Sequence, residues 1–115
     1  MTAPAIAQRA ITMQVERGIA VLTFDAPNAP VNTFTAAAQQ DLRSAFETIQ
    51  RDPAIRAAVI LSGKRGNFIA GADIEAFLGF RTAEDAEAAS CAGHADFAAI
   101  EKGKPVVCAI DGGCL

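Results

Sequence analysis

The sequence predicts an α/β layered fold, because segments of strand-like and helix-like periodicity alternate along the chain and two of the strand-like segments are short unbroken apolar runs. Composition agrees. The 115 residues are 51% hydrophobic and 20% charged, which suits one globular unit and excludes disorder as the default. A formal charge of -3 offers no basic surface to nucleic acid. The longest apolar runs, such as residues 57–61, are far too short to span a bilayer. Residues 1–9 lack a charged start followed by a long apolar segment, which argues against a secretory signal. Cys91, Cys108 and Cys114 are odd in number and form no CxxC pair. They imply neither a disulfide framework nor a zinc site, and a reducing cytoplasm is the simplest location.

The elements follow in order. Ile11, Met13 and Val15 alternate with polar residues in the period-two pattern of a half-buried strand. Arg17-Gly18 punctuates the run and residues 19–24 resume it, so a hairpin is expected. Residues 25–30 hold two prolines and an asparagine and form a loop. Thr35 can cap a helix whose apolar positions Leu42, Ala45, Phe46 and Ile49 recur at helical spacing, and Pro53 closes it. Residues 57–61 read as a strand buried on both faces. After a polar loop at 64–67 and a tight small-residue stretch at 68–72, residues 73–80 read as a short helix. A longer helix begins at Thr82 and runs to about Glu101. Glu84 and Asp85 in its first turn and Lys102 at its end complement the helix dipole. Residues 105–110 are a second buried strand, broken by Asp111-Gly112-Gly113.

The segment that carries chemistry is Asn67-Phe68-Ile69-Ala70-Gly71-Ala72-Asp73-Ile74. A tight turn of small residues ahead of a helix leaves backbone N–H groups pointing outward, where they can bind an anion or a carbonyl oxygen that gains negative charge during reaction. The plainer reading is an ordinary helix start with Asp73 as its cap. Glu75, Glu84 and Glu87 read as solvated helix charges, since nothing places them within reach of a reacting proton. His94, the single histidine, lies among alanines and reads as a structural or surface residue without a partner to set its tautomer. Asp111-Gly112-Gly113 lacks the Lys-Ser/Thr of a P-loop and the spacing of a dinucleotide fold, and reads as a strand-end turn.

Phe68-Ile69-Ala70-Gly71-Ala72-Asp73-Ile74 resembles the first acyl-CoA signature of the crotonase (enoyl-CoA hydratase/isomerase) superfamily. Four further pieces resemble that family in order and spacing. They are Gly18-Ile19-Ala20-Val21-Leu22-Thr23-Phe24, Pro30-Val31-Asn32-Thr33-Phe34, Ala58-Val59-Ile60-Leu61-Ser62-Gly63, and Lys104-Pro105-Val106-Val107-Cys108-Ala109-Ile110-Asp111-Gly112. The wording of the first signature and the Asp111-Gly112 end look most like the N-terminal hydratase portion of bifunctional enoyl-CoA hydratase/3-hydroxyacyl-CoA dehydrogenases of fatty-acid oxidation.

The resemblance implies the N-terminal portion of a crotonase-type spiral of ββα units, with residues 1–10 as an extension and 11–115 as a partial domain. It implies that an acyl-CoA thioester is held with its carbonyl in a backbone oxyanion hole, one N–H of which falls on Ala72. Val31, Asn32, Ala70, Gly71, Asp73 and Ile74 are implied to contact substrate or CoA. No metal and no cofactor is expected in this segment. Coenzyme A arrives as part of the substrate, and NAD enters only where a dehydrogenase domain follows. The second N–H and the acid/base glutamate of family members fall beyond Leu115, so the 115 residues alone are expected to be inactive. Glu75 stands where some single-function hydratases place a lysine near the CoA phosphates, which puts that contact in doubt. The expected activity is hydration of 2-enoyl-CoA to 3-hydroxyacyl-CoA. Another superfamily reaction, isomerisation or thioester hydrolysis, is the alternative, as is a non-catalytic acyl-CoA-binding role. A homo-oligomer or a multienzyme complex is expected of the parent protein.

Overall fold

The computed structural model describes residues 8–115. Residues 1–7, most of the expected N-terminal extension and of the stretch read against a secretory signal, lie outside the described residues. Ala10 is buried, and its N–H donates to the Asp41 carboxylate at 2.8 Å.

The hairpin forms as its alternation dictates. Strands β1 (Ile11–Glu16) and β2 (Ile19–Phe24) pair antiparallel from Ile11–Phe24 to Glu16–Ile19, joined by Arg17-Gly18. On β2 the even positions Ala20, Leu22 and Phe24 are buried. Helix α1 (Ala36–Arg51) starts where Thr35 caps it, the Thr35 hydroxyl accepting the Ala38 N–H at 3.1 Å. Its buried residues Ala38, Leu42, Phe46 and Ile49 form one stripe, and this stripe packs on the buried side chains of β2 in a single core. Ala45, expected in the stripe, is partly buried at its edge. The chain then crosses over to β3 (Ala57–Ser62), which lies parallel to β2, and later to β5 (Val106–Cys108), parallel to β3. The sheet order is β1-β2-β3-β5.

Two burial expectations are corrected. β3 is buried at Ala58 while its other residues are half-exposed, and β5 is three residues long with Val107 62% exposed. An apolar run reads the same whether one face or both are covered, and α1 covers only the face that carries Ala20, Leu22 and Ala58. The short helix is also corrected. Residues Ile74–Gly79 form a 3-10 helix capped by Asp73, whose poorer hydrogen-bond geometry gives a weak dipole. Helix α2 (Ala83–Lys102) has the expected Thr82 start, a capping box with Asp85. Arg81 and Thr82 donate backbone N–H bonds to the Asp85 carboxylate and hold its pKa below the ordinary range. A second, two-stranded sheet was not anticipated: β4 (Asn67–Ile69) pairs parallel with β6 (Gly113–Cys114). No helix among the described residues is long and apolar enough to cross a membrane.

Lys104 closes the far end of α1. Its ammonium donates to the carbonyls of Ile49 at 2.6 Å, Asp52 at 2.7 Å and Ile55 at 2.7 Å, so all three protons are used on carbonyls of the last turn, the cap and the segment just after it. Lys104→Met keeps the stem and removes the donors. It is expected to lower unfolding stability by about 2–3 kcal/mol, the range of a hydrogen bond to a charged group, read as a drop in the urea midpoint at constant slope.

Candidate active site

The site is assembled where the ends of β2, β3 and β4 meet the Asn32–Phe34 segment. Asn32 is fully buried, at 0% exposure. Its Nδ2 group donates to the carbonyls of Phe24 at 2.8 Å and Phe68 at 3.1 Å and to Ser62 Oγ at 3.0 Å. Its Oδ1 accepts the Ala26 N–H at 2.9 Å. With carbonyls on one side and an N–H on the other, the orientation of the amide is fixed by its partners. The resemblance implies that Asn32 contacts substrate or CoA; here each polar atom of its side chain is hydrogen-bonded inside the protein. Val31 is partly exposed beside it.

The signature turn runs alongside this segment. The Ala70 N–H donates to the Asn32 carbonyl at 2.7 Å, and the Phe34 N–H donates to the Gly71 carbonyl at 2.9 Å. Gly71 has φ 110°, a conformation that side chains rarely adopt, so glycine is required for the turn. The Gly71 carbonyl and the Ala72 N–H belong to one peptide unit, and in a trans peptide these groups point in opposite directions. With the carbonyl held by Phe34, the Ala72 N–H is directed away from the Asn32–Phe34 segment. Among the described residues it has no acceptor.

Gly71, Ala72 and Asp73 open on a cavity of about 830 Å³, of a size that takes a drug-sized or larger ligand. Phe34 and Leu42, Phe77 and Phe80 of the 3-10 helix segment, and α2 line it. The wall contributed by α2 is the row Ala86, Ala89, Ser90, Gly93 and Phe97, spaced by three and four residues as one helix face requires. An aromatic series links core to cavity: Phe24 packs on Phe34 at 5.6 Å between ring centroids, and Phe34 meets Phe97 edge-on at 5.8 Å. Sequence reasoning missed Phe97 and the α2 row, because small residues occupy every side of this helix and mark no face. His94 also lines the cavity, so the surface it occupies is the cavity face. Ala70 and Ile74 do not line it, and Ile74 is 73% exposed.

Two carboxylates border the cavity, and both are engaged. Asp73 Oδ1 accepts the Glu75 N–H at 3.2 Å. Asp96 forms a two-pronged pair with Arg43, at 3.1 Å and 2.8 Å, tying α2 to α1. The Arg43 hydrogen bond holds the Asp96 pKa below the usual carboxylate range. Glu75, Glu84 and Glu87 are exposed outside the cavity. Among the described residues no group of three or more His, Cys, Asp or Glu side chains is arranged to hold a metal ion.

Residues 14–115 match the family described as enoyl-CoA hydratase/isomerase. The fatty acid oxidation complex subunit alpha of Shewanella loihica is 44% identical over 103 residues, taking in 89% of this chain and 15% of that protein. The crystal structure of an enoyl-CoA hydratase/carnithine racemase from Magnetospirillum magneticum superposes with a TM-score of 0.77 at 28% identity, covering 89% of this chain and 39% of that one. The enoyl-CoA hydratase of Bacillus anthracis superposes with a TM-score of 0.79 at 19% identity, covering 90% and 40%, a likeness of fold. The chain spans about 15% of the length of the curated relatives it matches.

Proposed function

The chain belongs to the enoyl-CoA hydratase/isomerase family, and from that premise we propose that the protein carrying it adds water to 2-enoyl-CoA thioesters in fatty-acid oxidation. The observation that supports this reading best is the Ala72 N–H. It is aimed away from its own strand partner and sits on the rim of an apolar cavity. In hydration, hydroxide character attacks C3 of the enoyl group, electrons move through the conjugated system onto the thioester oxygen, and C2 then takes a proton. A donor aimed at that oxygen lowers the barrier because its interaction strengthens as the charge appears. The apolar walls keep the surroundings at low dielectric, which increases the value of such a donor.

The proposal extends to the rest of the site. Gly71 shapes the turn and Ala72 donates, while Ala70, Asp73, Ile74 and Val31 border the path of the CoA moiety. Asn32 acts from behind. The reaction needs no metal or redox cofactor in this segment; coenzyme A enters with the substrate. NAD chemistry enters only where a dehydrogenase domain follows. A cytoplasmic multienzyme complex is the proposed setting, by analogy with relatives named as subunits of a fatty acid oxidation complex.

The test is to incubate the gene product that carries this chain with crotonyl-CoA and follow loss of the enoyl absorbance together with product identity. Formation of 3-hydroxybutyryl-CoA is expected. Release of free CoA thiol, or migration of the double bond without uptake of water, would replace hydration by a different reaction of the same family. The 115 residues alone are expected to give no turnover, because Asp73 and Asp96 are engaged as a cap and an ion pair. Hydration by those residues alone would place the acid/base group on one of them.

A further inference from the structure

We infer that Asn32 is a positioning residue for the Ala72 N–H, setting the direction of that donor without touching substrate. The functional part of the inference rests on the hydratase reading; the geometric part does not. The Asn32 side-chain amide joins the ends of three strands from two separate sheets. Phe24 and Ser62 end β2 and β3 of the four-stranded sheet, and Phe68 lies in β4 of the small one. Its own backbone is held on both sides, the N–H donating to Asn67 Oδ1 at 2.9 Å and the carbonyl accepting the Ala70 N–H. From Asn32 only one residue intervenes before Phe34, whose N–H fixes the Gly71 carbonyl and with it the plane of the Gly71–Ala72 peptide. Any rotation of the Asn32–Phe34 segment therefore turns the Ala72 N–H. The side chain at this position must donate to carbonyls and accept from an N–H at once. An aspartate offers no donor to the Phe24 and Phe68 carbonyls, and a leucine takes the acceptor from the Ala26 N–H and the side-chain donor from the Phe68 carbonyl, while Phe24 and Ser62 keep their bonds to the Gly63 and Lys64 backbone N–H groups.

Two variants separate positioning from mere support. Asn32→Asp removes the donors, and Asn67→Ala removes only the acceptor of the Asn32 N–H and is the milder change. Each is prepared in the gene product that carries this chain. The amide NMR resonance and hydrogen exchange of Ala72 are read in the ligand-free protein, which reports peptide orientation whatever the reaction. With crotonyl-CoA, kcat is expected to fall about 10- to 100-fold, the scale of a misplaced catalytic group, while KM stays unchanged. The carbonyl stretch of the bound enoyl thioester should move back toward its solution frequency.

Lys104→Met, which destabilises from the far end of α1, should alter neither the Ala72 amide nor the carbonyl stretch. The inference is overturned by a folded Asn67→Ala protein with an unmoved Ala72 amide and the wild-type kcat. The same loss of kcat in Lys104→Met, which would make the effect one of stability, overturns it as well. If Asn32→Asp does not fold, Asn67→Ala decides alone. A wild-type protein that binds enoyl-CoA without polarising its carbonyl sinks the hydratase reading, and the Ala72 amide then decides the positioning claim by itself.

Discussion

Ala72→Pro is expected to lower kcat for enoyl-thioester hydration by about 100- to 1,000-fold, the measured scale for loss of one oxyanion donor. Proline deletes the N–H and leaves the small apolar character of the position. The position gives it room: Gly71 precedes it with the conformational freedom of glycine, and the bridge that Ala72 forms with Phe34 uses the Gly71 carbonyl rather than the Ala72 N–H. KM should change far less than kcat, because the donor matters most when charge has developed on the thioester oxygen. Ala72→Val keeps the N–H and adds bulk on the cavity rim. It should raise KM while sparing more of the turnover of bound substrate. Circular dichroism and acyl-CoA affinity must accompany the rates. A proline variant that folds, binds acyl-CoA and turns over at the wild-type rate would remove Ala72 from the mechanism.

Gly112→Ala should produce the second large effect, on stability rather than chemistry. Gly112 has φ 83°, and a Cβ built there would lie 2.3 Å from both the carbonyl carbon and oxygen of Gly66. The obstruction is backbone, which cannot swing aside as a side-chain tip can. A left-handed residue with a Cβ costs about 1–2 kcal/mol, and forcing the backbone apart adds about 1–3 kcal/mol. The expected loss is therefore about 2–5 kcal/mol. It would be felt through the bonds that dock β6, from Gly113 N–H to Gly66 O at 3.0 Å and from Leu115 N–H to Ile69 O at 2.9 Å. Gly66→Ala is the comparison. Its φ is also positive, at 71°, but nothing lies within 4 Å of the added carbon, so only the conformational cost of about 1–2 kcal/mol applies. Equal urea midpoints for the two variants would mean that the close approach at Gly112 is relieved at no cost.

The features legible in the sequence were those written in adjacent residues. The hairpin showed in the alternation of residues 11–24, α1 in Thr35 followed by helical spacing, and α2 in Thr82 with acidic residues in its first turn and Lys102 at its end. The turn at Gly71-Ala72 showed in its run of small residues. What stayed hidden depends on partners distant along the chain. The runs 57–61 and 105–110 look alike in one dimension, yet Ala58 is buried and Val107 is exposed, because burial depends on which face α1 covers. The pairing of Gly113–Cys114 with β4 rests on two residues, too few for any period to register. Asn32 illustrates the same limit at the site. The family motif marks the residue, while its role comes from four partners 6 to 36 positions away, which no local pattern encodes. Phe97 was hidden because an alanine-rich helix shows little contrast between its faces.

Helix α2 has no buried residue within this chain and is tied down by Arg43–Asp96, Phe97 and Ile100 near its C-terminal end. The row from Ala86 to Gly93 that faces the cavity therefore lies outside the core packed by α1 and β2. In evolutionary terms the helix is free to vary. Replacing Ala86, Ala89 or Ser90 by a bulkier residue reshapes the cavity while leaving fold stability within about 0.5 kcal/mol, as for surface positions generally. On the hydratase reading proposed above, the range of accepted acyl groups would drift along this helix with little penalty in folding, whereas Asn32, Gly71 and Gly112 tolerate almost no change. Selection for a new substrate would be expected to leave its record on α2 first.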